Sequence, residues 1–430
     1  MNRIITIFFL GAIVSSYFFS FEFSFLPSGL NTKMLLGFLG VLLVGLHCLR
    51  IKQLLCPVDL FGAAVIALIF SLICFFSAYY NLTDDYSYAT YFVSFTTWLT
   101  GAYAVCVFLR AYHGKVTFQL LTYYLAGVCV AQCVLALMID RIPALQMLVD
   151  TYISQGQEFF NEVGRLYGIG AALDSAGVRF SIVLLMIAFL LFKDPEIQTK
   201  KRSIMSLVFA FFIISIIGNM ISRTTTVGMA MGLISMAYFM PVFKIKIKIG
   251  VIKTWSILLV ITIIGIIIVT YFYNSDAQTY QLLRFAFEGF FNWMETGVWE
   301  TDSTTKLNTE MWIWPTDTRS WIIGTGHFGS FIYSTDIGYC RFILYCGLIG
   351  FSVFAFFFIY NSYVFVKKIY AYRLFFLALC VLGFLLWLKV ATDIFLIYAL
   401  FYCMDTYQQA TKYNVISQND ENNLLYSRNI

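Results

Sequence analysis

Five arginines are the first candidates for chemistry in this sequence, because each offers a rigid fork of hydrogen-bond donors. They are Arg165, Arg179, Arg223, Arg319 and Arg341. Such a fork binds two oxygens of a phosphate or carboxylate together, whereas a lysine ammonium acts as a point charge. Pairing with an acid of the protein itself would explain any one of them equally well. As a group, they predict a site that holds an anionic part of a substrate.

The segment 317–330, DTRSWIIGTGHFGS, adds candidate acid–base groups to this set. His327 lies within it, and Asp336 follows at the entry to the next apolar run. An imidazole or a carboxylate can take a proton from a hydroxyl group. The glycine-rich turn 324–326 can present backbone N–H groups to an anion, although a lone GxG is weakly specific. The structural alternatives are a hydrogen-bonded turn histidine and an ion pair between Asp336 and Arg341.

The remaining arginines stand beside apolar runs. In GNMISRTTTVGMAMG, Arg223 occupies a short turn between two such runs, where a charge needs a partner or a water-filled cavity. In RLYGIGAALDSAGVR, Asp174 lies between Arg165 and Arg179 and can pair with either one. Snorkelling to lipid headgroups is the structural alternative for Arg223. An arginine–aspartate pair is the alternative for the other two.

Several chemistries lack their sequence signals. There is no HExxH, no paired set of His and Cys ligands, no DxD-like motif in the predicted outer loops and no GxSxG. We therefore expect no metal, no cofactor and no covalent serine nucleophile. The ten cysteines lie mostly in apolar runs without a CxxC, which predicts packing rather than a disulfide framework or a zinc site.

The elements that must position these residues are membrane helices. The chain has 430 residues, of which 60% are hydrophobic and 12% charged, whereas an ordinary soluble domain is about 25% charged. Apolar runs near 20 residues predict an all-α, polytopic integral membrane protein. We predict about 11–12 transmembrane helices from twelve candidate spans, at 4–23, 34–49, 59–79, 92–110, 116–139, 177–192, 203–221, 224–243, 254–273, 339–362, 374–389 and 391–404.

Lysine and arginine predict the orientation of these spans. With the N-terminus inside, 18 of the 28 cationic residues fall in inner segments, which places both termini in the cytoplasm. Twelve of those 18 are lysine, whereas seven of the ten outer cations are arginine. Topology needs only positive charge, so the arginine excess outside supports an anion site on the outer face.

The spans divide the chain into four parts. Residues 1–273 hold the first nine helices and an outer segment at 140–176. Residues 274–338 form one large outer loop, 339–404 hold the last helices, and 405–430 form a polar cytoplasmic tail that we expect to be disordered. In the large loop, QLLRFAFEGFFNWMET predicts an amphipathic helix on the membrane surface. Five of the eight tryptophans also lie in this loop, where they suit either the lipid interface or the faces of sugar rings.

The pattern resembles the O-antigen and capsule polymerases, which form a superfamily with the O-antigen ligases. The likeness rests on the topology, on SRTTTVG between two helices, and on TRSWIIGTGHFGS with STDIGYCRFILYCGLIG around the end of the large loop. It implies a type-C glycosyltransferase-like fold in the bacterial inner membrane. It also implies metal-independent polymerisation of undecaprenyl-pyrophosphate-linked repeat units at the periplasmic face.

The same resemblance implies roles and partners. Arg223 and Arg319, and more weakly Arg165, would hold the pyrophosphate. The ligases usually carry a histidine just before the span that follows the large loop. This chain reads STDIGY there, which favours a polymerase over a ligase. The expected partners are the lipid-linked glycan, the bilayer, a chain-length regulator and a flippase, and no nucleic acid.

A transporter, such as a flippase for lipid-linked oligosaccharides, is the competing class. It too would use many spans and interior arginines. The large outer loop, the lack of internal repeats and the lack of matched Gly/Pro-broken helices disfavour it, because transporters often carry such helices at their binding sites.

Overall fold

Apolar helices dominate the computed structural model, which describes residues 3–52, 57–156, 160, 165–239, 249–329 and 332–407. Helices α1 to α6 are Arg3–Phe18, Thr32–Ile51, Val58–Tyr80, Tyr91–His113, Phe118–Arg141 and Pro143–Tyr152. Helices α7 to α12 are Leu173–Lys193, Pro195–Thr199, Lys201–Ile221, Thr225–Tyr238, Ile249–Ser275 and Ala277–Ala286. Helices α13 to α18 are Glu288–Thr296, Asp302–Glu310, Thr318–Ile323, Gly338–Lys368, Arg373–Leu386 and Phe395–Tyr402.

Eight helices within these ranges are long and apolar enough to cross a membrane: α2, α3, α4, α5, α7, α9, α11 and α16. The chain is a multi-pass α-helical membrane protein, as predicted. Each of the twelve predicted spans contains a helix, but α1, α10 and α17 are shorter and α18 has only 8 residues. At about 1.5 Å per residue, α18 covers about 12 Å of a hydrocarbon core that is about 30 Å thick. It does not cross alone.

Contacts between distant segments define two ends of the bundle. At one end, Arg110 Nε lies 3.0 Å from an Asp405 carboxylate oxygen. At the other, Arg141 pairs with Asp276, and strand β1 (Glu22–Phe23) pairs antiparallel with β2 (Ile153–Ser154). We call the end with Arg141 and Asp276 the site end, and the end with Arg110 and Asp405 the opposite end. The site end carries the segments predicted to be outside.

The polar tail begins later than predicted. Asp405 is paired with Arg110, and Tyr407 is buried, so the chain stays packed against the bundle through residue 407. The rest of the predicted tail, 408–430, lies outside the described residues. So does 240–248, which contains three of the lysines counted as inner.

Helices α7 and α11 occupy contrasting positions. In the most apolar stretch of each helix, 89% of the residues of α7 are buried, whereas only 6% of those of α11 are buried. A helix that is apolar on all faces is stable either inside a protein or in lipid. Therefore α7 forms the centre of the bundle, and α11 presents most of its surface to lipid.

Helix α16 is broken at Gly347, where φ is 66° and ψ is −178°. The break leaves backbone carbonyl groups without helical hydrogen bonds, and the N–H groups of the turn 324–326 bind them instead. The Thr325 N–H donates to the Leu344 carbonyl at 2.6 Å, and the Gly326 N–H donates to the Tyr345 carbonyl at 3.0 Å. The prediction that this turn presents these N–H groups to an anion is therefore wrong, because the broken helix already uses them.

A second break separates α17 from α18. Residues 387–394 are not helical, yet Trp387 is 2% exposed and Ile394 is 2% exposed. Non-helical backbone within a membrane protein is tolerated where protein buries it or where it lines a cavity. The expectation of unbroken helices, which disfavoured a transporter, is wrong at Gly347. The second break falls between the last two predicted spans.

The large loop is helical but differs from the prediction. The expected amphipathic helix is split at Phe287 into α12 and α13. Leu282, Leu283 and Ala286 are buried, and α12 packs on α9 and α11 rather than lying on lipid alone. The loop therefore covers part of the site end.

Candidate functional site

Asp174, at the start of α7, is the centre of a polar cluster at the site end. Its Oδ1 accepts hydrogen bonds from the Ser222 hydroxyl at 3.0 Å and from the Thr224 hydroxyl. The Lys389 ammonium lies 3.7 Å from the same oxygen. The SRTTTVG turn and the segment 387–394 thus meet at one carboxylate.

The local sequence explains why the SRTTTVG turn approaches α7 so closely. The Ser181 hydroxyl of α7 donates to the Thr224 carbonyl at 3.0 Å and accepts from the Gly228 N–H at 3.2 Å. A Cβ at Gly228 would lie 2.1 Å from the Ser181 Cα, so only glycine fits there. Leu173, just before Asp174, has a φ of 49°, a strained conformation for a bulky residue. These features fix the carboxylate in place.

Arg223 faces the large loop. Its guanidinium forms an ion pair with Glu288, and the two side chains are only 15% and 18% exposed. It also lies 4.4 Å from the centre of the Phe285 ring. Arg165 lies 5.0 Å from that same ring, so one aromatic side chain contacts two arginines. Cation–π contacts of this kind stabilise cations that have lost part of their water.

Electrostatics link these residues into one group. Burial lowers the pKa of Lys389, and the nearby charges of Arg223 and Arg165 lower it further, whereas Asp174 acts in the opposite direction. Burial and Arg223 likewise lower the pKa of Arg165. We call the following residues the Asp174 cluster: Arg165, Asp174, Arg223, Glu288, Asp336 and Lys389.

Asp336 belongs to the cluster through its charge interactions. It is half-buried in the segment before α16. Burial raises the pKa of its carboxyl group, and the Asp174 charge raises it further, against the effects of Arg341, Lys306 and Lys389. A carboxylate whose pKa is raised is a stronger base than an ordinary aspartate, which suits proton transfer.

Two cavities flank the segment that carries Arg165 and Asp174. The first has a volume of about 720 Å³ and a lining that mixes polar and apolar side chains, including Asp140, Arg165, Met220, Gln278, Leu282 and Phe285. The second has about 640 Å³ and a lining that is also mixed, with Glu22, Asn31, Ser154, Gln155, Asp174 and Ser175 among its polar residues. Ligand cavities are commonly about 300–1,000 Å³, so either can hold a sizeable headgroup.

Two of the predicted arginines have other partners. Arg319 donates from Nη2 to the Asn81 side-chain oxygen at 3.1 Å, and its guanidinium lies 4.5 Å from the Tyr80 ring. Arg179 donates to the carbonyl of Ser175, and its Nε is buried without a hydrogen-bond partner in the described residues. Neither has a contact that places it in the Asp174 cluster.

His327 lies in a clamped segment of the large loop. Asp85 accepts hydrogen bonds from the backbone N–H groups of Phe328 and Gly329. From the other side, Arg341 Nη2 donates to the Phe328 carbonyl at 2.6 Å. The imidazole lines a small hollow with Arg341 and Thr335. His327 is thus near the segment that ends in Asp336, but no contact joins it to Asp174.

Lys389 and Glu288 are cluster members that the sequence analysis did not select. Lys389 was counted only as an outer cation. Its position at the end of a short predicted span is the feature that could have marked it as a site residue. Glu288 lies inside the predicted amphipathic helix, where a charge on the polar face is unremarkable. Within the described residues, no group of three or more His, Cys, Asp or Glu side chains could hold a metal ion.

Comparisons with known proteins add no relative. No family model, curated protein or solved structure matches this chain. The Asp174 cluster and its cavities therefore carry the functional argument.

Proposed function

We propose that this chain is a metal-independent glycosyltransferase with a type-C-like fold that polymerises undecaprenyl-pyrophosphate-linked repeat units. The site end would face the periplasm from the inner membrane, with both termini cytoplasmic. One observation carries the proposal: Arg165 and Arg223 lie against the same Phe285 ring, beside a cavity with both polar and apolar lining. A lipid diphosphate needs such a combination of cationic forks and apolar surface.

The chemistry requires a stabilised leaving group and a base. The acceptor hydroxyl oxygen attacks the anomeric carbon of the donor, and the bond from that carbon to the diphosphate oxygen breaks. The diphosphate leaves with the electron pair, and Arg165, Arg223 and Lys389 stabilise its charge without a metal. Asp336 takes the hydroxyl proton, because its raised pKa and its place in the cluster suit a base better than the position of His327 does.

The glycan ladder on a gel, from cells with and without the gene, tests the proposal. A polymerase predicts loss of long chains in the deletion strain, with single repeat units still attached to the final acceptor. Complementation with Arg223→Ala should fail to restore the long chains, although the protein reaches the membrane. Loss of attachment with polymer still made would instead indicate a ligase, and an unchanged ladder would contradict any such transferase.

A flippase for lipid-linked oligosaccharides is the second candidate, and the broken helices favour it. Helix α16 is interrupted at Gly347, and the non-helical segment 387–394 carries Lys389 and Asp393; many transporters have discontinuous helices at their binding sites. Lipid-linked units trapped on the cytoplasmic side of the deletion strain would support the flippase and contradict the polymerase. A chain-length regulator and a flippase partner would be expected only for the polymerase.

A further inference from the structure

The contact between Arg223 and Glu288 bears on how a substrate reaches the Asp174 cluster. Glu288 Oε2 pairs with Arg223, and Glu288 Oε1 accepts the backbone N–H of Asp302 at 2.9 Å. Both oxygens of the carboxylate are therefore used. With exposures of 15% and 18%, the ion pair is largely closed to water. An anion from solution cannot bind this side of the guanidinium while Glu288 remains there.

The covering group is one short stretch of the large loop. Phe285, near the end of α12, contacts both Arg165 and Arg223, and Glu288 begins α13. The two helices are separated at Phe287, whose φ of −120° and ψ of 30° are not helical. The segment 285–288 thus supplies both an aromatic face and an acid to the arginines, at a break where the backbone can bend.

Anchors hold this stretch more firmly on the α12 side than beyond Glu288, where Phe291 stacks on Tyr273 and Glu295 pairs with Arg284. At the start of α12, Asp276 pairs with Arg141, and the Gln278 amide donates to Asp140 at 2.7 Å. Beyond Glu288, α13 buries only Gly289. Helix α14, Asp302–Glu310, buries no residue. The segment therefore resembles a flap whose fixed side is α12, where Leu282, Leu283 and Ala286 are buried.

The charge balance of the Asp174 cluster shows what could replace Glu288. The cluster contains three cations (Arg165, Arg223, Lys389) and three acids (Asp174, Glu288, Asp336). With Glu288 withdrawn, the cations exceed the acids in a partly buried site, which is unfavourable unless another anion enters. A diphosphate supplies that charge and accepts two arginine forks.

We infer that Glu288 is an internal substitute for the substrate's diphosphate: it occupies Arg223 in the resting protein, and the segment 285–288 moves away when the diphosphate binds. The inference rests on the proposed function, because it regulates the same anion site. It makes the flap an autoinhibitory contact that keeps the arginines paired between reaction cycles. A ligand must then bind more tightly than Glu288 does to open the site.

Binding of inorganic diphosphate to the purified full-length protein in nanodiscs, measured by calorimetry at fixed ionic strength, tests this inference. Glu288→Gln keeps the size of the side chain and removes its charge. We expect it to lower the Kd for diphosphate by about tenfold or more, because the competing carboxylate is gone. The matched control is Glu295→Gln in the same loop, which loses only the pair with Arg284 and should bind as the wild type does.

The outcomes separate this inference from the proposed function. An unchanged or higher Kd for Glu288→Gln, or no binding by either protein, would overturn the inference. Glu288→Asp keeps the charge but shortens the side chain, so it should also tighten diphosphate binding. This variant replaces Glu288→Gln in the test if the glutamine variant does not fold. Arg223→Ala should abolish the gain. The assay does not depend on glycosyl transfer, so tighter binding together with an unchanged glycan ladder would reject the polymerase and keep the internal substitute.

Discussion

The Lys389 ammonium lies 3.7 Å from the Asp174 carboxylate, which joins the segment between α17 and α18 to the start of α7. This pair connects the most interrupted part of the bundle to its central helix. It also brings a cation into the site that a motif search would pass over.

Replacing Lys389 with methionine should reduce both stability and activity. The two side chains are 28% and 34% exposed, so the loss should fall between that of a surface pair and that of a buried pair, about 1–2 kcal/mol. Thermal unfolding of the purified protein measures it. Lys200→Met is the control, since its pair with Glu196 is 54% and 61% exposed and should contribute much less to stability. Equal effects of the two changes would contradict the prediction.

Arg223 and Arg319 should respond differently to truncation. Arg223→Ala removes a guanidinium of the Asp174 cluster and should lower transfer by about 100- to 1,000-fold, the usual effect of losing a charge-stabilising donor. Arg223→Lys should restore little, because an ammonium lacks the fork. Arg319→Ala should keep measurable transfer, since Arg319 contacts Asn81 and Tyr80. Transfer rates in membranes with matched protein levels provide the comparison. Complete loss in Arg319→Ala would place that arginine in the site.

Gly347→Ala should destabilise the protein strongly. The new Cβ would lie 2.1 Å from the Ile322 carbonyl oxygen, and the φ of 66° is itself unfavourable for alanine. The expected loss is about 3 kcal/mol, from strain and overpacking together. Gly297→Ala separates the two effects, because Gly297 has a φ of 77° but open space around it. A similar fall in Tm for both variants would show that the contact with Ile322 adds nothing.

The pH dependence of stability should reveal Asp336. Burial and Asp174 raise its pKa in the folded protein, so the folded state binds a proton more tightly than the unfolded chain does. Stability should therefore fall as the pH rises from the ordinary aspartate pKa through the raised one, and Asp336→Asn should remove this part of the fall. Asp317 provides the opposite sign: hydrogen bonds from Ser320 lower its pKa, so its contribution is lost as the pH falls. Melting curves of the wild type, Asp336→Asn and Asp317→Asn across the acidic range provide the comparison.

The helices were predictable because apolar runs and loop charges are local properties of the sequence. Runs of about 20 residues located α3, α5 and α9 closely, and the short length of the last two predicted spans agrees with the break between α17 and α18. The partners of the charged residues were not predictable. Glu288 and Arg223 meet only because α12 packs on the end of α9, and that packing depends on the whole bundle.

The glycine-rich turn 324–326 illustrates the same limit. Its sequence suits anion binding and helix capping equally well, since both need accessible backbone N–H groups. The choice depends on the break at Gly347, which frees the Leu344 and Tyr345 carbonyls. Nothing in YCRFILYCGLIGF marks the break except Gly347, and the same stretch has Gly350 inside the helix; glycine is common in membrane helices.

Helix α11 connects the surrounding bilayer to the loop that covers the site. It has 27 residues, or about 40 Å at 1.5 Å per residue, and must tilt to fit a hydrocarbon core of about 30 Å. Only 6% of the residues in its most apolar stretch are buried, so most of its surface meets lipid, although it also packs on α9 and α12. The large loop begins at the end of this helix, and Glu288 lies 13 residues further along the chain, beyond α12. The thickness of the bilayer would therefore affect the position of the loop. A thicker or thinner bilayer would move the loop and change how firmly Glu288 covers Arg223.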